Sequence, residues 1–142
     1  MPVSTTETEP MAQARPLAVL VVDDQPTVRE ALVRLIGCAP FALRAVRGVG
    51  TSAEALEAVR TLHPELIVLD VDLGGEDGLA LLPQLTADAC VLVLSSRGDA
   101  PARLRAMQAG ASAFVDKQEP AAVLLGRLAE LASRQRLMTA TH

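Results

Sequence analysis

The sequence predicts an open, doubly wound α/β domain of five strands and five helices, and three observations carry that prediction. Short Val, Leu and Ile runs without polar alternation, among them LAVLVV (17–22), LIVL (66–69) and VLVL (91–94), suit strands buried on both faces of a parallel sheet. Segments with apolar residues at helical spacing separate the runs. Four runs, AFV (113–115) included, stop at small polar residues: Asp23-Asp24, Asp70 and Asp72, Ser95-Ser96, and Asp116-Lys117. Ligands of such sheets sit beyond the carboxyl ends of the strands, so the topology would gather these groups at one edge.

The first strand is Leu17–Val22. The helix after it carries Pro26 in its first turn, where a missing N–H costs nothing, and ends near Gly37. Its apolar positions Val28, Leu32, Leu35 and Ile36 keep helical spacing. Phe41–Val46 reads as the second strand, with Gly48 and Gly50 marking the turn after it. Thr51 and Glu54 form a capping box for a helix through Leu62, which His63-Pro64 stops. Leu66–Leu69 is the third strand, and the segment Asp70–Gly78 reads as a loop. Pro83 makes the third helix, Leu79–Leu85, short, kinked or shifted. Cys90–Leu94 is the fourth strand, and Asp99 is expected to cap a helix to about Ala109 with Pro101 in its first turn. Ser112–Val115 is the fifth strand, and the last helix covers Pro120–Leu137. Residues 1–16 are expected to be a disordered tail, residues 17–137 the single domain and residues 138–142 a C-terminal tail.

The chain has 142 residues, half of them apolar, with no Trp, no Tyr and two Phe, so Ala, Leu and Val must build the core. The scarcity of aromatics argues against a stacking platform for single-stranded nucleic acid or a flavin. A net charge of −4 gives no pull toward DNA or anionic membranes. The apolar runs fall far short of the ~20 residues of a membrane span, and the first sixteen residues do not resemble a secretory signal. Cys38 and Cys90 are expected to be free, buried thiols of a protein in a reducing cytoplasm. Of thirteen basic residues, all but Lys117 are Arg. Lys is a compact charge able to reach into a narrow oxyanion site, which a wide guanidinium does not do as readily.

Asp23, Asp24 and Asp70 would converge at the ends of adjacent strands. Clustered carboxylates repel, which raises their pKa values or demands a cation. All-oxygen ligation suits Mg²⁺. Asp23-Asp24 also suits a helix cap, and one aspartate can cap while the other binds metal. A carboxylate beside Mg²⁺ can attack phosphorus and form an acyl phosphate. Ser95 and Lys117 could then hold phosphoryl oxygens, so that catalysis is by positioning and charge neutralisation. Taken singly, Ser95 also reads as a turn hydroxyl and Lys117 as a solvated charge.

In order, VLVVDD, LIVLDVDLGGEDGLALL, LVLSS and GASAFVDK resemble the receiver domain of two-component response regulators over about Leu17–Leu137. The flavour is that of receivers in helix-turn-helix transcription regulators. The resemblance implies a flavodoxin-like sheet in the order 2-1-3-4-5. It implies that Asp23, Asp24, Asp70 and the Asp72 main-chain carbonyl bind Mg²⁺. Asp70 would accept phosphate from a sensor histidine kinase or phosphotransfer protein, with Ser95 as switch hydroxyl, Phe114 as rotating aromatic and Lys117 as phosphate-binding lysine. Phe114 reads equally well as a plain core aromatic. The output surface would be the fourth helix, fifth strand and fifth helix, engaging a downstream protein or a second copy. Apolar residues Val123, Leu124, Leu125, Leu128 and Leu131 of the last helix somewhat exceed one core stripe, which suits a partner contact, although simple packing accounts for most of them.

The chain departs from the family pattern in three places. Leu73-Gly74 stands where Met-Pro is usual. Gln118 rather than Pro follows Lys117, so that peptide bond is expected to be trans. Asp72 adds charge beside the phosphoacceptor and could pair with Arg97, so the two are candidate modulators of phosphoryl lifetime. With only MTATH after Leu137, the expectation is a stand-alone receiver without enzymatic turnover of external substrates, contacting neither nucleic acid nor membrane. The alternative is a degenerate receiver that acts unphosphorylated as an interaction module. Asp70-Val71-Asp72 also resembles the DxD of haloacid-dehalogenase phosphatases, but there it ends the first strand and a cap domain follows. A flavodoxin-like electron carrier would need a phosphate loop after the first strand and an aromatic sandwich, and neither is present.

Overall fold

The computed structural model describes residues 15–96 and 100–140. Its sheet holds β1 (Leu17–Val22), β2 (Leu43–Val49), β3 (Leu66–Asp70), β4 (Cys90–Ser95) and β5 (Ala113–Asp116), all parallel, in the order β2-β1-β3-β4-β5. Helices α1 (Pro26–Ile36), α2 (Ser52–Leu62), α3 (Leu82–Leu85), α4 (Ala100–Gln108) and α5 (Ala121–Ala140) connect or flank them. This is the doubly wound architecture and strand order that the sequence implied.

The unalternated runs are explained by burial: every residue of β1, β3 and β4 is buried. Val19 and Val21 point into a core shared with Leu32 and Ile36 of α1 and Leu128 and Leu131 of α5. Leu20 and Val22 point to the opposite face, against Ala55 and Ala58 of α2, Leu82 of α3 and Ala106 of α4. A parallel sheet covered on both sides has no wet face for polar residues to occupy. The helix starting at Ser52 has the expected Thr51 cap, with Thr51 Oγ1 accepting from Glu54 N–H at 3.1 Å. The reciprocal half of the box is displaced by one residue: Glu54 Oε1 accepts from Gly50 N–H at 2.9 Å rather than from the N-cap N–H.

Several local expectations need correction. β2 runs to Val49, not Val46, and Gly48 lies within it because Val21 and Val22 of β1 pair with Gly48 and Val49. The Asp70–Gly78 segment is not an open loop. Asp72–Leu73 and Glu76–Asp77 pair as a small antiparallel hairpin. Its turn residues Gly74 and Gly75 both have positive φ, +57° and +94°, the conformation that tight hairpin turns require. The third helical segment divides into a 3₁₀ turn, Gly78–Leu81, and α3, which places Pro83 in a first turn where it breaks no ladder. α5 extends to Ala140, so residues 138–140 are helical rather than tail. Residues 1–14 of the expected N-terminal tail and the Asp99 cap lie outside the described residues. Both cysteines are free, but only Cys90 is buried. Cys38 is exposed because it lies beyond the end of α1, in the turn leading to β2.

Candidate functional site at the carboxyl edge of the sheet

The ends of β1, β3, β4 and β5 deliver their polar residues to one cleft. Asp23 follows β1 and is 1 % exposed; Asp70 closes β3 at 5 % and Ser95 closes β4 at 4 %. These three are the buried polar side chains of the described residues. Asp24 is half-buried beside them, and carboxylate oxygens of Asp23, Asp24 and Asp70 all lie within 4.8 Å of one another.

Lys117, one residue beyond β5, reaches back over this cluster. Its Nζ donates to Asp70 Oδ2 at 3.0 Å and to Asp23 Oδ2 at 3.4 Å. Its own N–H donates to the Ser95 carbonyl at 2.8 Å, locking the end of β5 to that of β4. The turn after it closes without proline. Gln118 N–H donates to Asp116 Oδ1 and Asp116 N–H to Glu119 Oε1, and the described residues contain no cis peptide bond.

The second carboxylate oxygens of Asp70 and Asp23 are oriented by backbone. Asp70 Oδ1 accepts from Asp72 N–H at 3.2 Å, and Asp23 Oδ1 from Gln25 N–H at 2.9 Å. The latter bond answers the capping question: Gln25 is the N-cap of α1 and has no side-chain cap, so neither aspartate caps the helix. Burial raises the pKa of Asp70, and the neighbouring Asp23 carboxylate adds to the rise, while Lys117 and the Asp72 N–H oppose it without cancelling it. For Lys117 burial alone would lower the value, but Asp70 and Asp23 raise it overall. The ammonium is therefore firmly protonated, and the site is a concentrated negative charge short of one cation. Three hard oxygen donors at this separation fit Mg²⁺, which takes one or two carboxylates and keeps waters.

Asp72 is exposed on the hairpin rather than buried with Asp70. It lines, with Asp70, Ser95, Ser96, Pro101 and Arg105, a cleft of about 270 Å³ between the hairpin and α4. Phe114, on β5, is 4 % exposed, and the Arg103 guanidinium of α4 lies 4.9 Å from its ring centre. Arg97 is outside the described residues. Of the apolar residues singled out on the last helix, Leu124, Leu128 and Leu131 are core; among the described residues the large apolar side chains exposed to solvent are instead Leu104 and Met107 of α4.

Two residues in this region escaped the sequence analysis. Arg29, on α1, donates from Nη1 to the Asp23 carbonyl at 2.9 Å. Its side chain runs across β2 where Gly48 lies: a Cβ there would sit 2.7 Å from Arg29 Cγ. Two glycines two apart beside an Arg seven residues past the first strand were the available signal. Arg105 gave none, since its approach to the cleft depends on how α4 is set down.

Residues 19–129 match the response regulator receiver domain family. A putative transcriptional regulator of Pseudomonas aeruginosa is 39 % identical over 110 residues, 75 % of this chain and 52 % of that protein. The chain spans about half the length of the curated relatives it matches first. Among solved structures, the signal receiver domain of a LuxO-type repressor protein from Vibrio parahaemolyticus superimposes with a TM-score of 0.79 at 22 % identity, covering 90 % of this chain and 98 % of that one. A LuxR-family two-component response regulator from Aurantimonas gives 0.77 at 27 % identity, with coverages of 84 % and 86 %.

Proposed function

This chain belongs to the response regulator receiver domain family, and from that premise we propose that Asp70 is the phosphoacceptor of a two-component phosphorelay. Receiver domains are regulatory, take their phosphoryl group from histidine kinases or phosphotransfer proteins, and bind Mg²⁺ at an acidic pocket. For this chain the supporting observation is the bridge of Lys117 between Asp70 and Asp23, with Asp24 completing a three-carboxylate cluster.

In the proposed reaction an Asp70 carboxylate oxygen attacks the phosphorus of a phosphohistidine. The new O–P bond forms as the P–N bond breaks, and the imidazole leaves with the electron pair. Asp23, Asp24, Asp70 and the Asp72 main-chain carbonyl would hold Mg²⁺, which when bound offsets charge on the transferring phosphoryl group. Lys117 keeps its ammonium on the Asp70 side of the cluster, ready to exchange a carboxylate contact for a phosphoryl oxygen. Ser95, level with Asp116 on β5, supplies a hydroxyl from the neighbouring strand. Burial of Asp70 to 5 % exposure leaves the cleft as the route by which donor and water reach the nucleophile. Asp72 lines the path by which water would reach the acyl phosphate, and with Arg97 it is proposed to set phosphoryl lifetime.

The phosphoryl group adds about two negative charges and three acceptors, enough to favour a second packing of the adjoining elements. α4 is the element to respond, because Ala106 is its one buried residue. Movement of Ser95 toward the phosphoryl group would shift the β4–α4 connection, and Phe114 would repack beneath α4. The surface of α4, β5 and α5 is then the proposed output, with Leu104 and Met107 already exposed on it for a protein partner or a second copy. The proposed location is the cytoplasm, where histidine kinases present their phosphoryl groups; no helix among the described residues is long and apolar enough to cross a membrane.

The test is incubation with Mg²⁺ and acetyl phosphate followed by intact mass spectrometry. One acid-stable, base-labile phosphoryl group that is absent from Asp70→Asn is expected. An unmodified wild type, under conditions that modify another receiver, would leave the interaction-module reading in its place.

A further inference from the structure

The cleft over Asp70 has an acidic mouth. Asp70 and Asp72 line it, the carboxylates of Asp23 and Asp24 come within 4.8 Å of that of Asp70, and Lys117 is engaged with Asp70 and Asp23. Lys117 together with a bound divalent ion balances the three clustered carboxylates, but Asp72 stays on the cleft wall. Its charge opposes the entry of a small phosphodonor carrying about two negative charges near neutral pH. Among the described residues lining the cleft, Arg105 is the one cation.

Arg105 of α4 lines both the cleft and a second depression of about 350 Å³ bounded by Asp77 and Gln108. It is held there by Asp77 of the hairpin, with Nη2 to Oδ2 at 3.2 Å. The side chains of this pair are 62 % and 52 % exposed, so the contact is solvated and readily exchanged. Asp77 Oδ1 has a separate task, accepting from Leu79 N–H at 3.1 Å at the head of the 3₁₀ turn. Arg105 thus has five donors, one modest partner, and a position at the entrance to an anion site.

We propose that Arg105 is a specificity-determining residue for phosphorylation. It recruits the phosphoryl group of an incoming anionic donor at the mouth of the cleft, and Asp77 competes for the same guanidinium until the donor arrives. The proposal rests on the reading of Asp70 as phosphoacceptor. It predicts opposite consequences for the two partners. Loss of Arg105 removes the attraction, whereas loss of the Asp77 charge strengthens it.

The experiment measures initial rates of phosphorylation of the full chain against acetyl phosphate concentration, with Mg²⁺ present, for wild type, Arg105→Ala, Arg105→Lys and Asp77→Asn. Asn at 77 can still accept from Leu79 N–H, so the turn keeps its cap. In Arg105→Ala the half-saturating donor concentration should rise by about threefold, the size expected for one charge acting on a dianion at a solvated rim. Arg105→Lys should recover most of the difference, and Asp77→Asn should lower the half-saturating concentration by about twofold. Raising ionic strength to about 1 M should merge wild type and Arg105→Ala, because screening shortens the reach of the charge to a few ångströms. Equal half-saturation in wild type and Arg105→Ala overturns the proposal. So does a shift in the same direction in Arg105→Ala and Asp77→Asn, which would make the pair a structural clasp. A wild type that takes up no phosphoryl group overturns the Asp70 reading, and this proposal with it.

Discussion

The ammonium of Lys117 sits 3.0 Å from Asp70 Oδ2, so the chain's one lysine is spent on its most deeply placed β3 carboxylate. With side chains 23 % and 6 % exposed, the pair is largely withdrawn from water, and Asp23 at 1 % shares the same ammonium. Replacing Lys117 by Met would leave two buried carboxylates without their cation. Breaking such a pair costs about 3–5 kcal/mol in a dry interior, and partial exposure of Lys117 reduces that to about 1–3 kcal/mol. Urea unfolding of Lys117→Met without divalent ions should show this loss, and added Mg²⁺ should restore part of it by binding the unneutralised carboxylates.

Asp70 gives a pH signature of known sign. Burial raises its folded-state pKa above the unfolded value. Its contribution to stability is therefore fully present below the unfolded pKa and is lost as pH rises through the folded one. Asp70→Asn removes this titration. Thermal unfolding without Mg²⁺ should find the variant gaining on wild type as pH rises out of the acidic range, with the gap constant near neutrality. Mg²⁺ should reverse the order, because a ligand that binds only the folded state stabilises it in proportion to RT ln(1 + [L]/Kd). A gap that widens toward acid would contradict the assignment.

The strand runs and the residues at their ends were legible because each is encoded locally. A buried parallel strand needs an unbroken apolar run, and the chain can place chemistry only where that run stops. That logic located Asp23, Asp24, Asp70, Ser95 and Lys117 at one edge. It could not locate what depends on packing between elements. The hairpin at Asp72–Asp77 was hidden because two-residue strands carry no periodicity, although Gly74-Gly75 was its turn signal. Gly48 was read as a turn because a strand glycine looks like a break. It is glycine instead because Arg29 crosses over it. The apolar surplus read on the last helix goes largely into the core, and among the described residues the large exposed apolar side chains are Leu104 and Met107 of α4, which its shallow seating leaves in solvent.

Arg29 supports the acidic pair from behind through the Asp23 carbonyl. Among the described residues it pairs with no carboxylate, so its role is to fix the backbone from which Asp23 and Asp24 project. Support of this kind is worth about 10-fold or more in metal affinity at established sites. Arg29→Ala should weaken Mg²⁺ binding by about that factor in calorimetric titration, while Arg29→Lys should recover little, since Lys lacks the planar fork. Gly48→Ala should have a related effect by displacing the same side chain, at a stability cost of about 1–3 kcal/mol for overpacking.

Phe114 offers a direct view of the proposed switch, because the chain has no Trp and no Tyr. Phe114→Tyr would place the single tyrosine of the protein beneath α4, at a site 4 % exposed and 4.9 Å from the Arg103 guanidinium. Its emission then reports position 114 alone. If phosphorylation repacks β5 against α4, acetyl phosphate with Mg²⁺ should change that emission in step with phosphoryl incorporation, and Asp70→Asn should abolish the change. Arg103→Ala should alter the emission of the unphosphorylated protein, since a cation over an aromatic face contributes about 0.5–1 kcal/mol at an exposed site and restrains the ring. Incorporation without any optical change would show Phe114 to be a plain core residue, and output would then have to leave through α4 without it.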